Sequence, residues 1–101
     1  YFEYFDVLPN IRNIMNTEAV LVHNLNVKPY NYDNNSKWSK KRNSFYGIDD
    51  CSTLDLDFVK DFHISYFKGM GLDVEWIEFI PREKYKGEIY LYHVLYKLKI
   101  K

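Results

Sequence analysis

The stretch that decides the fold is the closing one, residues 86–101, which reads KGEIYLYHVLYKLKIK. Alternate residues of a strand point to opposite faces of a sheet, and here both rows are largely apolar. One row is Tyr90, Tyr92, Val94, Tyr96, Leu98 and Ile100, and the other is Ile89, Leu91, His93 and Leu95. Such a strand is typical of a sheet that is covered on both sides. The pattern therefore predicts an α/β fold in which helices lie on both faces of the sheet.

Composition limits the chain to one domain or half-domain. It has 101 residues, of which 47% are apolar and 19% aromatic, and its net charge is zero. A neutral chain is not a generally basic nucleic-acid clamp. The single cysteine, Cys51, excludes an internal disulfide and favours a cytoplasmic setting. No apolar run reaches the roughly 18–20 residues of a membrane span, so we expect no membrane partner.

The predicted order of elements is helix, strand, long loop, helix, strand, strand. The helices are expected over 8–15 and 52–68, with Ser52 as the N-cap of the second. The run of Ala19, Val20, Leu21 and Val22 predicts a parallel strand over 18–27, buried on both faces. Residues 28–50 are predicted to be a long polar loop, and the strand that starts at 72 is expected to end at Pro81.

Two helices in a chain of this size can barely cover both faces of such a sheet. The chain also begins with Tyr1 and not with Met. We therefore expect the missing cover, and further strands, to come from an N-terminal part of the protein or from a second subunit. An oligomer is the corresponding expectation for the isolated chain.

Three stretches resemble class I S-adenosylmethionine-dependent methyltransferases, whose fold is Rossmann-like. They are YFDVLPNIRNIMNTEAVLVHNL (4–25), YFKGMGLDVEWIEF (66–79) and YLYHVLYKLK (90–99). The family's sheet ends with a helix, a parallel strand, a helix and an antiparallel hairpin, whose last strand is inserted between the two before it. The resemblance implies the C-terminal half of a three-layer sandwich of that kind.

The resemblance also implies methyl transfer from S-adenosylmethionine, but only with the N-terminal half present. The family holds this cofactor with a glycine-rich turn after its first strand and an acidic residue at the end of the second. The only similar stretch here, GMG at 69–71, follows a helix and precedes a strand, which is the reverse order. In the family, the stretch just after the fourth strand lies beside the methyl-transfer centre. The resemblance implies that the aromatic residues at the start of this chain lie there and cover the cofactor's ring, and the alternative is that they are core residues: Phe2, Tyr4 and Phe5.

Candidate substrate-binding residues occur in two places. Asn24 and Asn26 end the first strand beside His23, and ligands of open α/β sheets bind at the carboxyl ends of strands. The stretch KWSKKRNSFY (37–46) mixes cations with rings, as sites for RNA or another anionic substrate do. Its candidate residues are Trp38, Lys40, Lys41, Arg42 and Tyr46. The alternative is that Asn24 and Asn26 cap the loop backbone, and that this stretch is a solvated loop.

No catalytic residue is identified from the sequence. His63 and His93 have no metal-ligand spacing to a cysteine or carboxylate, so we interpret both as packing or hydrogen-bonded residues. Asp49 and Asp50 beside Cys51 would raise its pKa and make it a poor nucleophile. Two rival hypotheses remain open: a stand-alone α+β binding module of inhibitor or immunity type, and the C-terminal portion of an acetyltransferase-like fold, whose glycine signature is not seen.

Overall fold

The fold was determined from a computed structural model, which describes residues 3–101; Phe2, one of the candidate cofactor-side residues, lies outside this range. The chain forms a mixed α/β domain of three helical segments and one three-stranded antiparallel sheet. The first segment joins α1 (Tyr4–Val7), a 3₁₀ turn (Leu8–Asn10) and α2 (Ile11–Ile14). The remaining elements are β1 (Glu18–Asn26), α3 (Lys37–Tyr46), α4 (Leu56–Gly69), β2 (Leu72–Tyr85) and β3 (Glu88–Ile100).

Helix α3 corrects the prediction that residues 28–50 are a loop throughout. The side chain of Ser36 caps the helix by accepting a hydrogen bond from the Ser39 backbone N–H at 3.1 Å. Gly47 ends the helix with a φ of +67°, a left-handed conformation that glycine adopts without strain. The helix escaped prediction because its sequence carries little hydrophobic periodicity. A similar correction applies to α4, whose N-cap is Asp55 and not Ser52.

Strand β3 lies in the middle of the sheet, in the order β1-β3-β2. It runs antiparallel to both neighbours, so β1 and β2 run in the same direction as each other. The prediction for the first strand is therefore wrong in part, because β1 is an edge strand that pairs antiparallel with β3. Strand β2 also continues past Pro81 to Tyr85, through register shifts. Proline is tolerated there because an edge strand need not donate every backbone hydrogen bond.

The hydrophobic core lies on one face of this sheet. Val94, Tyr96 and Leu98 of β3 point into it and are fully buried. From the other side, α4 contributes Phe67 and His63, whose rings lie 5.4 and 6.0 Å from the ring of Tyr96. The N-terminal segment and α3 pack on the same side, through the ring contacts of Tyr4, Phe45 and Tyr46 with His63. All three helical segments thus cover a single face.

The opposite face of the sheet is left open, and we call it the open face. Apolar side chains from both edge strands are exposed there: Val20 and Val22 are each 59% exposed, Trp76 41% and Ile80 40%. Leu91, His93 and Leu95 of β3 lie between them and are partly buried. The expectation that both faces are covered is therefore wrong for residues 3–101 taken alone, because this part of the chain has no helix left for the second face.

Truncation of an apolar side chain to alanine should cost much more stability on the core face than on the open face. Replacing Leu98, which is fully buried, by alanine should lower the free energy of unfolding by about 2–5 kcal/mol, because it leaves a cavity in the core. The matched control Val20→Ala on the open face should change it by less than about 0.5 kcal/mol. Urea unfolding followed by circular dichroism measures both. Equal losses for the two variants would contradict the one-sided core.

Candidate functional site

The structure divides the predicted substrate-binding residues between two recesses. Helix α3 causes the division, because side chains four residues apart share a helix face whereas adjacent ones diverge. Trp38 and Arg42 face the carboxyl end of β1, whereas Lys40 and Lys41 face the N-terminal segment and α4. Tyr46 lines neither recess and is buried in the core. The loop that the sequence predicts over residues 28–50 gives no basis for this separation.

The first recess, which we call the Arg42 recess, has a volume of about 250 Å³. It brings together residues from four places in the sequence. Its lining is Glu3, Tyr4, Asn24, Asn26, Trp38, Arg42 and Leu91. Five of these are candidate site residues of the sequence analysis, and Glu3 and Leu91 are additions that only the fold reveals.

Arg42 is the most unusual residue of this recess, because its side chain is only 1% exposed. Its guanidinium carbon lies 5.0 Å from the centre of the Trp38 ring, a cation–π distance. Two of its nitrogens, Nε and Nη2, are buried without a hydrogen-bond partner. None of the ion pairs within residues 3–101 includes Arg42. A buried cation in this state is energetically costly, so an arrangement that supplies an acceptor would be favoured.

Cys51 lies against this guanidinium but lacks the character of a nucleophile. Burial raises the pKa of its thiol, the charge of Arg42 opposes that rise, and Asp50 adds to it. The sequence analysis attributed the raised pKa to the neighbouring carboxylates, whereas burial is the larger cause. The thiol therefore stays protonated near neutral pH.

The second recess, which we call the lysine groove, is larger and more open, with a volume of about 850 Å³. Lys37, Lys40 and Lys41 line one side of it. Rings from the three helical segments form part of its lining: Phe5, Phe45 and Tyr66. Lys41 is paired with Asp6 of the N-terminal segment at 3.4 Å. The combination of ammonium groups and rings suits an anionic ligand that carries an apolar or aromatic part.

Buried hydroxyls and imidazoles form a hydrogen-bonded and stacked cluster in the core. The hydroxyls of Tyr4 and Tyr46 hydrogen-bond at 2.7 Å, and the hydroxyl of Tyr46 bonds to Nε2 of His63 at 2.9 Å. The His23 ring stacks on Tyr4 at 4.3 Å, and its Nδ1 donates to the carbonyl oxygen of Asn24 at 3.0 Å. Each of these residues is named in the sequence analysis, and the interpretation of His63 as a hydrogen-bonded residue is confirmed, but the cluster itself could not be predicted because its members are far apart in the sequence.

Burial keeps this cluster uncharged at neutral pH. It lowers the pKa of His63 to about 3, helped by the nearby His23, and lowers the pKa of His23 to about 4. It raises the pKa of Tyr4 to about 12 and moves those of Tyr46 and Tyr96 upward as well. Such groups hold hydrogen bonds and shape, but none is poised to exchange a proton near pH 7. No catalytic residue is therefore assigned.

The part of the chain that the structure describes shows neither a cluster of metal ligands nor a membrane-spanning helix. Among residues 3–101, no group of three histidine, cysteine or acidic side chains is placed to hold a metal ion. Within the same residues, no helix has the length and apolar character needed to cross a membrane.

Comparison with known proteins adds no relative to this description. The chain matches no protein-family model, no curated protein and no solved structure.

The buried histidines predict a stability that falls in acid. Both pKa values lie below the ordinary 6.5, so the unfolded chain takes up protons first as the pH drops. The contribution of the two histidines to the free energy of unfolding should be fully present above pH 6.5. It should fall between pH 6.5 and about 4, by about 1.4 kcal/mol per pH unit for each histidine.

Urea unfolding at several pH values tests this prediction. His63→Phe should reduce the slope of stability against pH by one histidine's share. His23→Phe should reduce it as well, because it removes one imidazole and also the neighbour that helps to lower the pKa of His63. Variants that keep the full wild-type slope in this range would show that the buried imidazoles are not the cause.

Proposed function

We propose that this chain is the C-terminal, substrate-side half of a Rossmann-like S-adenosylmethionine-dependent methyltransferase. In this proposal an N-terminal half binds the cofactor and completes the sheet. The main support for the proposal is the open face, where apolar residues of the sheet are exposed and no helix of residues 3–101 covers them. Exposed apolar patches of this kind mark surfaces that another protein body covers.

The strand arrangement supports this choice of completing body. β1 and β2 run in the same direction, and β3 lies between them in the opposite direction. The connection from β1 to β2 carries α3 and α4, and the N-terminal helical segment precedes β1. This order of helix, strand, helical connection and hairpin with an inserted last strand resembles the end of the methyltransferase sheet.

The edge of the sheet supports it as well. Among residues 3–101, β1 pairs only with β3, so the outer edge of β1 has no strand beside it. A nine-residue edge strand with no strand on its outer side is a template on which a further strand can pair. In the proposed enzyme the N-terminal half supplies that strand together with helices over the open face.

The residues described here do not by themselves fit the cofactor. Tyr4 and Phe5, the candidate cofactor-side residues, are 8% and 5% exposed. Tyr4 stacks on His23, and Phe5 packs edge-on against Trp38 at 6.0 Å. Core packing therefore accounts for both rings. Cofactor binding in this proposal belongs to the N-terminal half.

The lysine groove is the proposed contact for the methyl acceptor. Its three lysines and three rings suit an anionic acceptor, RNA included, whose charge pairs with the ammonium groups. Methyl transfer depends mainly on aligning the nucleophile with the methyl group. Positioning residues would therefore suffice on this side of the reaction.

Cofactor binding tests the proposal. Isothermal titration calorimetry with S-adenosylmethionine should show no binding to residues 1–101 alone. It should show saturable binding to the longest natural polypeptide that contains them, or to a mixture with the subunit that co-purifies with them. A folded natural protein that fails to bind S-adenosylmethionine in either form would contradict the methyltransferase assignment.

One observation favours a second candidate, a stand-alone binding module of inhibitor or immunity type. The core on the helical face closes without outside help, since Leu72, Val94 and Leu98 are fully buried. The open face, with Trp76 at its β2 edge, would then be the interface itself. This candidate predicts a monomer that unfolds cooperatively and whose melting temperature does not respond to S-adenosylmethionine.

A further inference from the structure

We propose that the Arg42 recess binds a small monocarboxylate, whose carboxylate group pairs with the guanidinium of Arg42. The proposal depends on neither of the two functions above. It begins with the burial of this guanidinium, which is 1% exposed and whose Nε and Nη2 atoms have no acceptor. Arginine presents planar, paired N–H donors that match the two oxygens of a carboxylate.

Trp38 stabilises the positive charge of Arg42 but accepts no hydrogen bond from it. Trp38 presents its ring face 5.0 Å from the guanidinium carbon. The ring quadrupole stabilises the positive charge but supplies no hydrogen-bond acceptor. Tyr4 and Asn24 add polar groups to the lining of the same recess. Cys51 hydrogen-bonds to the guanidinium, but Nε and Nη2 remain without an acceptor, and an oxyanion at this place would supply one.

Charge and volume select a single carboxylate over larger or more highly charged anions. Glu3 also lines the recess, so a dianion such as phosphate would meet a like charge beside the one cation. The volume of about 250 Å³ corresponds to roughly eight water-sized groups, at about 30 Å³ each. The amides of Asn24 and Asn26 can hydrogen-bond to a further polar group of such a ligand.

The test is an NMR titration of the ¹⁵N-labelled chain with sodium acetate and sodium butyrate. The Nε–H of Arg42 and the indole N–H of Trp38 report binding. Sodium chloride at equal ionic strength controls for salt, and sodium phosphate tests the charge argument. We expect saturable shifts of both signals with the carboxylates, weaker binding of phosphate, and none with chloride.

Two variants and one control locate the binding. Arg42→Met should weaken acetate binding at least tenfold, whereas Lys40→Gln removes a cation from the other side of the same helix and should leave it unchanged. Asn24→Asp lies at an exposed position and keeps the fold even where Arg42→Met does not. It places a carboxylate in the recess and should likewise weaken acetate at least tenfold.

Three results would overturn the proposal: no saturable shift in the wild-type chain, phosphate binding tighter than acetate, or undiminished binding in both N24D and R42M. The assay contains no S-adenosylmethionine. Its outcome is therefore separate from that of the methyltransferase test.

Discussion

The pairing of β3 with strands on both of its edges holds this molecule together. β1 and β2 do not touch in the sheet order, so every long-range backbone hydrogen bond between strands passes through β3. The same strand supplies the centre of the core, where Tyr96 meets β1 at Leu21 and β2 at Ile77. The helical segments pack against the surface that this pairing creates. Loss of β3 would therefore remove the sheet and the core together.

The second constraint is that a sheet has two faces, and the helical segments of residues 3–101 cover one. Burial of apolar area is the main favourable term in folding. Val20, Val22 and Trp76 remain exposed, so their apolar area contributes little to the stability of this part of the chain. The open face and the free edge of β1 lie next to each other. A body that adds a strand at β1 would also lie close to the open face. That geometry underlies our proposal that the chain works as part of a larger protein.

The sequence predicts some of this architecture and misses the rest for identifiable reasons. Both rows of the last strand were predicted to be buried; for the row of Tyr96 and Leu98, which lie at the centre of the core, that prediction is confirmed. Val20 and Val22 misled the prediction, because apolar residues on an open face look the same in sequence as residues covered on both sides. Helix α3 was missed because capping by Ser36 and Gly47, and not periodicity, defines it.

The sequence indicates individual residues of the candidate site but not their arrangement in space. Trp38 and Arg42 meet Asn24 in one recess only because α3 directs their side chains toward the end of β1, while Lys40 lines the other recess. The Tyr4–Tyr46–His63 chain joins positions up to 59 residues apart, which no local pattern encodes. Burial of Arg42 without an acceptor is a property of packing, and a sequence of alternating cations and rings gives no sign of it.

The accessibility of Trp76 tests the central claim of a half-covered sheet most directly. The variant Trp38→Phe leaves Trp76 as the only tryptophan, and acrylamide quenching of its fluorescence measures its exposure. At a concentration low enough for the chain to be monomeric, we expect red-shifted emission that acrylamide quenches readily. Blue-shifted emission that resists quenching in the monomer would show that the chain covers the second face of its own sheet, and the open face would then not exist.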